Sequence, residues 1–229
     1  MSRAEALLVT GLLTLAFGNG ADAQRIRAEG IAAIVGAPTP RAGAQVLLLS
    51  DVELRARMRL AGQMQGPIAL TPLPPSLLAA TLDELLGEAL IAREAERVQL
   101  ATPTERDLRE ERRRLESLAG GEARLRALRS ALSVSDEEIA AIVRRRATVK
   151  VFLEANLQGA STIDDATIDR VYETGEHPFL GQSLEDVREP MRVWLARRAL
   201  DRSVRRWVEV LRARTVVRVL APYAEEADE

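Results

Sequence analysis

His177 is the only histidine in the chain, Lys150 is the only lysine, and cysteine is absent. A metal centre normally clusters histidine, cysteine and carboxylates, so one imidazole without a thiol is poor material for it. A hydrolytic triad would need a serine and a carboxylate held beside His177, and no nucleophile-elbow motif occurs. His177 precedes Pro178 after Gly175-Glu176 and reads as an ordinary loop residue. Neither a GxxxxGK[ST] nor a GxGxxG phosphate loop is present. The paired carboxylates Glu137-Glu138 and Asp164-Asp165 each stand at the start of an expected helix, where the helix dipole alone accounts for acids. No catalytic, cofactor-binding or metal-ligating residue is therefore assigned, and the sequence gives no positive sign of an enzyme. The triplets Arg112-Arg113-Arg114 and Arg144-Arg145-Arg146 could bind an anion. They are interleaved with glutamates on helical patterns, so solvated faces are expected instead.

Such residues need elements to hold them, and composition bounds those elements. With 47% hydrophobic and 29% charged residues, the chain has the balance of a globular protein. A net charge of −2 and 3% aromatics supply neither the electrostatic pull nor the stacking surfaces of a nucleic-acid binder, so no such partner is expected. Residues 1–23 have the pattern of a cleavable secretory signal. Arg3 gives a positive start, Ala6 to Phe17 is apolar, Gly18 and Gly20 break the run, and Ala21-Asp22-Ala23 is the small-x-small site. Cleavage is expected between Ala23 and Gln24. The apolar run is much shorter than the roughly 20 residues that span a bilayer, so no stable membrane insertion is expected after cleavage.

Two apolar runs, Ile31 to Val35 and Val46 to Leu49, read as extended and are joined by the turn-forming segment APTPRAGAQ. Ser50-Asp51 then opens a short helix carrying Val52, Leu54, Met58 and Leu60. The proline-rich Gly66 to Pro75 forbids a continuous helix. From Ser76 a long helix places Leu78, Leu82, Leu85, Leu86 and Ala89 on one face. Thr102-Pro103-Thr104-Glu105 predicts another helix start, with Thr102 as cap and Glu105 as the acid of a capping box. Leu125, Leu128 and Leu132 mark a short helix, and Ser135 to Glu138 is a second capping box. Asp164 caps a short helix, and Ser183 caps a long one running to about Ala213. Thr215 to Leu220 is β-branched enough for a strand that would pair with the first extended runs. Residues 224–229 form an acidic tail. The expected architecture is mainly α, about six helices with a few short strands that bring the ends of residues 24–223 together.

The last long helix carries two apolar faces. Val187, Met191, Trp194 and Leu195 share one side; Leu200, Val204, Trp207, Val208 and Leu211 lie nearly opposite, where Arg198, Arg202 and Arg205 take over the first side. Such a helix serves two packing partners, or one core and one exposed groove. Trp194, Trp207, Val204 and Leu211 are accordingly the candidate apolar binding or core residues.

The order of these pieces resembles the chaperone module of SurA-type periplasmic chaperones, the SurA-N-like proteins related to parvulin isomerases. Four segments carry it: the run into Leu49-Ser50-Asp51-Val52-Glu53, Leu85 to Leu108, Val134 to Leu157, and the DDATIDRVYE segment with the long helix and VVRVL. Many members insert a parvulin domain between the third and fourth. Here only Gln158 to Ile163 separate them, so the resemblance implies a module without its isomerase, in place of the family's prolyl isomerase activity. It implies an ATP-independent holdase for unfolded outer-membrane or secreted polypeptides, located in the periplasm. The alternatives are a peptidyl-prolyl isomerase and an envelope accessory subunit that binds one folded partner.

Overall fold

The computed structural model describes residues 30–36, 44–63, 70–99, 102–157 and 162–223. The leader with Ala23 and Gln24, the middle of the APTPRAGAQ turn and the acidic tail lie outside them. The fold is mainly α, as expected, with seven helices among the described residues where about six were anticipated. Strand β1 spans Ile31–Val35 and β2 Gln45–Leu48. The helices are α1 Leu49–Gln63, α2 Pro75–Val98, α3 Glu105–Leu118, α4 Glu122–Leu132, α5 Asp136–Asn156, α6 Asp165–Thr174 and α7 Leu184–Arg214, followed by β3 Val217–Val219.

The three strands form one antiparallel sheet in the order β2-β1-β3. Ile34 stands opposite Val46 on one side and Arg218 on the other, so the first and last strands do pair. Gly36 N–H donates to Val216 O, and Leu220 N–H to Ala32 O, which extends the closure beyond the three residues of β3. The inner face of the sheet, with Ala33, Val35 and Leu47 fully buried, packs on the apolar stripe of α2. Phe152 of α5 and Leu211 of α7 complete this main core.

A second core lies under α1, α3, α4 and α5, built from Leu54, Met58, Leu115, Leu125, Leu128, Ile139 and Ile142. Helix α1 feeds both cores, with Val52 in the first and Leu54 and Met58 in the second. A third, smaller cluster joins α6 to the first half of α7 through Ile168, Val187, Met191 and Leu195. The two apolar faces of α7 thus have two different packing partners, as the change of face near Arg198 anticipates.

Capping explains most of the helix starts. Ser135 and Glu138 form the expected reciprocal box, and Asp164 and Ser183 cap α6 and α7. At α3 the box is shifted by two residues: Thr104, not Thr102, caps the helix, and Asp107, not Glu105, returns the hydrogen bond. Pro103 therefore sits before the cap and not in the first turn. Helix α2 begins at Pro75 without a side-chain cap, because the capping position is Pro74, whose ring offers no acceptor; Pro75 itself suits the first helical position, where no N–H is needed.

The expectation of solvated arginine faces fails in part. Arg144 is exposed, but Arg145 and Arg146 turn inward, at 16% and 22% side-chain exposure, against carboxylates of α2 and α3. The pattern of alternating charge on α5 cannot distinguish water from a buried acid on a neighbouring helix.

Candidate functional site

An open groove of about 700 Å³ runs across the helical layer. Helix α2 packs on both α5 and α7, and α3 packs on α5. Gly87 and Ile91 of α2 with Val149 and Leu153 of α5 line the groove with apolar surface. One wall is α7, through Val204, Val208, Arg205, Glu209 and Arg212; the other is the α3 pair Glu111 and Arg114. The spacing on α7 (204, 205, 208, 209, 212) is a single helical stripe, apolar toward the floor and charged toward the rim. Gly87 lies directly under α7: a Cβ there would stand 3.5 Å from Val208 Cγ2.

One end of the groove rests on a buried ionic network. Glu88 accepts from Arg55 Nη2 of α1 at 2.8 Å and from Arg145 Nε of α5 at 2.8 Å. Arg146 bridges Glu88, at 3.9 Å, and Glu111, at 3.3 Å, and Arg114 closes on Glu111 at 2.7 Å. Burial pushes the Glu88 carboxyl up, but Arg55, Arg145 and Arg146 together outweigh it and hold it below the usual carboxylate range. The network joins α1, α2, α3 and α5 and fixes the groove's charged end. Lys150, one helical turn farther along α5, also lines the groove, within 3.4 Å of Asp107 and of Glu154 and 3.6 Å of Glu110. Partial burial pulls its ammonium down, yet these carboxylates hold it above its ordinary value.

The four residues singled out by sequence do not meet at one site. Val204 lines the groove. Leu211 is 2% exposed in the main core, and Trp207 packs beside it, stacked on Phe152. Trp194 belongs to the α6–α7 cluster, edge-on to Phe179, with the Arg198 guanidinium 4.7 Å from its ring centroid. On the face read from helical spacing, Val204 and Val208 border the groove, while Trp207 and Leu211 pack at the main core.

His177 lies in the α6–α7 loop, as expected, with its side chain buried. Its Nδ1 accepts from Phe179 N–H at 3.1 Å, Nε2 lies 3.2 Å from Tyr172 O, and the ring stacks on Tyr172. Both ring nitrogens are thereby engaged in holding the turn. Asp164 is occupied by its cap, and Asp165 pairs with Arg192 at 2.6 Å.

Gly87, Leu153 and the Glu88 network were not anticipated, whereas Val208 belongs to the second apolar face already read on α7. Glu88 carried a weak signal: it lies just outside the apolar stripe of α2, one turn after Leu85, where an acid that becomes buried requires a partner. No group of histidine, cysteine and carboxylates that could hold a metal occurs among the described residues, and none of the described helices is long and apolar enough to cross a membrane. Neither the family models nor the curated proteins contain a match to this chain.

Proposed function

We propose that this chain is an ATP-independent holdase of the bacterial periplasm, delivered by residues 1–23 and acting on unfolded outer-membrane or secreted polypeptides. The groove between α3 and α7 carries the reading. It offers apolar surface from Gly87, Ile91, Val149 and Leu153 without enclosing it, between charged walls. Val149, Leu153, Val204 and Val208 are only half-buried, so apolar area remains to be covered by a client segment. Weak, reversible burial of client side chains there needs no nucleotide and no catalytic residue.

The test is aggregation suppression of a urea-unfolded outer-membrane barrel protein on dilution. The chain is expected to lower light scattering at equimolar and higher ratios, and Leu153→Glu, which places a carboxylate on the groove floor, is expected to lose the effect. No suppression at a several-fold excess sinks the holdase reading. Capture of one stoichiometric folded partner without suppression favours an envelope accessory subunit. Robust turnover of a proline peptide favours an isomerase.

A further inference from the structure

The second half of α7 carries more positive charge than its neighbours neutralise. Between Arg197 and Arg214 seven arginines face two acids, Asp201 and Glu209. Arg212 and Arg214 are held by Asp83 and Glu94 of α2, at 2.7 and 2.6 Å. Arg197, Arg202, Arg205 and Arg206 are exposed and have no carboxylate partner among the described residues, and Arg198 has only the face of Trp194. At about 100° per residue, Arg198, Arg202, Arg205 and Arg206 fall within one arc of roughly 100°, which Glu209 alone shares as an acid, so the stripe keeps an excess of positive charge. Arg205 also lines the groove, so the stripe continues the groove's rim.

Arg109, Arg113 and Arg144 are likewise exposed without a carboxylate partner among the described residues, but they do not form a row of four on one helix, and several other surface arginines are paired. Arg106, Arg112 and Arg126 each have a glutamate one turn away, within 3.0 Å. A guanidinium already paired offers little to a ligand; a row of unpaired ones creates a field that an anion relieves. The neighbouring recess supplies the apolar half of the recognition. A flat bilayer does not enter a recess, whereas a polypeptide segment presents apolar and acidic side chains together.

We propose that the Arg198–Arg202–Arg205–Arg206 stripe makes the groove selective for apolar segments flanked by acidic side chains. The inference rests on the groove being a polypeptide site and adds the charge that site prefers.

Fluorescence anisotropy with three labelled synthetic peptides tests it. The peptides share one apolar centre and carry acidic, neutral or lysine flanks. At about 50 mM salt the acidic peptide is expected to bind about tenfold tighter than the lysine peptide, and the gap is expected to shrink at about 300 mM as screening shortens the range of the charges. Arg202→Glu with Arg205→Glu is expected to reverse the order of the peptides. Arg113→Glu with Arg144→Glu, exposed changes outside the groove, is expected to preserve it, and Leu153→Glu to weaken all three. Circular dichroism confirms that each variant folds. Equal affinities for the three peptides, still lost in Leu153→Glu, overturn the charge preference and leave the groove reading standing. Binding of none of them overturns both. Binding to phosphatidylglycerol vesicles through the stripe, with no peptide preference, overturns the inference and assigns the arginines to a lipid surface.

Discussion

Phe152 of α5 and Trp207 of α7 stack with ring centroids 4.9 Å apart and planes 30° from parallel. Phe152 is 2% exposed, so the pair fastens the second half of α7 to the main core directly behind the groove. Phe152→Ala is expected to cost about 3–5 kcal/mol by urea denaturation, as expected for a large aromatic truncated in a packed core. The native Trp207 emission is expected to shift to the red as its ring gains water. A cost below about 1 kcal/mol would show that the core collapses onto the gap and that α7 is anchored elsewhere.

Glu88 is the anion that Arg55 and Arg145 both meet at 2.8 Å. Glu88→Gln is expected to cost about 3–5 kcal/mol, because it leaves the guanidinium charges under-compensated in a partly buried site. The pH dependence follows from the sign of the shift. With its folded carboxyl below the usual range, Glu88 contributes stability that is complete above its unfolded value, about 4.3, and is lost as pH falls through the lower folded value. The stability of Glu88→Gln, measured by urea titration between about pH 3 and pH 6, is therefore expected to fall less steeply on acidification than that of the unsubstituted chain. Parallel acid limbs would remove Glu88 from the cause.

The start of α3 distinguishes two neighbouring threonines. Thr104 accepts from Asp107 N–H at 3.3 Å, and Thr104 N–H donates to the Asp107 carboxylate at 2.9 Å. Thr104→Ala is expected to lose about 1 kcal/mol, whereas Thr102→Ala, outside the box, is expected to stay within about 0.5 kcal/mol of the unsubstituted chain. Thermal melts of the two variants side by side decide it, and the reverse order would restore Thr102 as the cap.

His177 supports a local structure. Replacing it with Ala removes the acceptor for Phe179 N–H and the stacking on Tyr172, at a cost of about 1–3 kcal/mol. Amide hydrogen exchange is expected to quicken in residues 172–183 and to remain unchanged in α2 and α5. Loss of the proposed aggregation suppression in a fully folded His177→Ala would mean that the α6–α7 turn has more than a structural part.

Gly62 marks a close approach between elements. A Cβ there would come within 2.4 Å of Leu118 O, a backbone atom at the end of α3. Nearby, the Arg124 side chain donates to Ala61 O, so the corner is held from both sides. Gly62→Ala is expected to cost about 1–3 kcal/mol despite the higher helix propensity of alanine. A gain in melting temperature would show that the corner yields.

What was legible in the sequence is the part set by local rules. Leu82, Leu85, Leu86 and Ala89 repeat at helical spacing and are buried on one face; Ser135 and Asp164 cap where their side chains must. The change of face on α7 was also readable, since Leu195 and Leu211 sit on opposite sides of the same rod. The shifted cap at Thr104 was not, because Thr102 and Thr104 both precede an acid at a plausible distance and only the path of the chain chooses between them. Nor was the groove. It is bounded by α3 and α7, which are far apart in sequence, and its floor residues have the same spacing as core residues. Whether Val149 is covered or open depends on where a distant helix stops. Arg145 and Arg146 were misjudged for the same reason, because their partners Glu88 and Glu111 lie on other helices.

The pairing of Ala33 with Val219 joins residues near the two ends of the described chain. In a chain that emerges from its N-terminus, β1 is among the first elements available and β3 among the last. One edge of β1 therefore has no partner strand until α7 has emerged. That long separation makes the closing of the sheet a late and slow event, after the local helical contacts. Until then the exposed edge of β1 is itself a segment that a chaperone would cover.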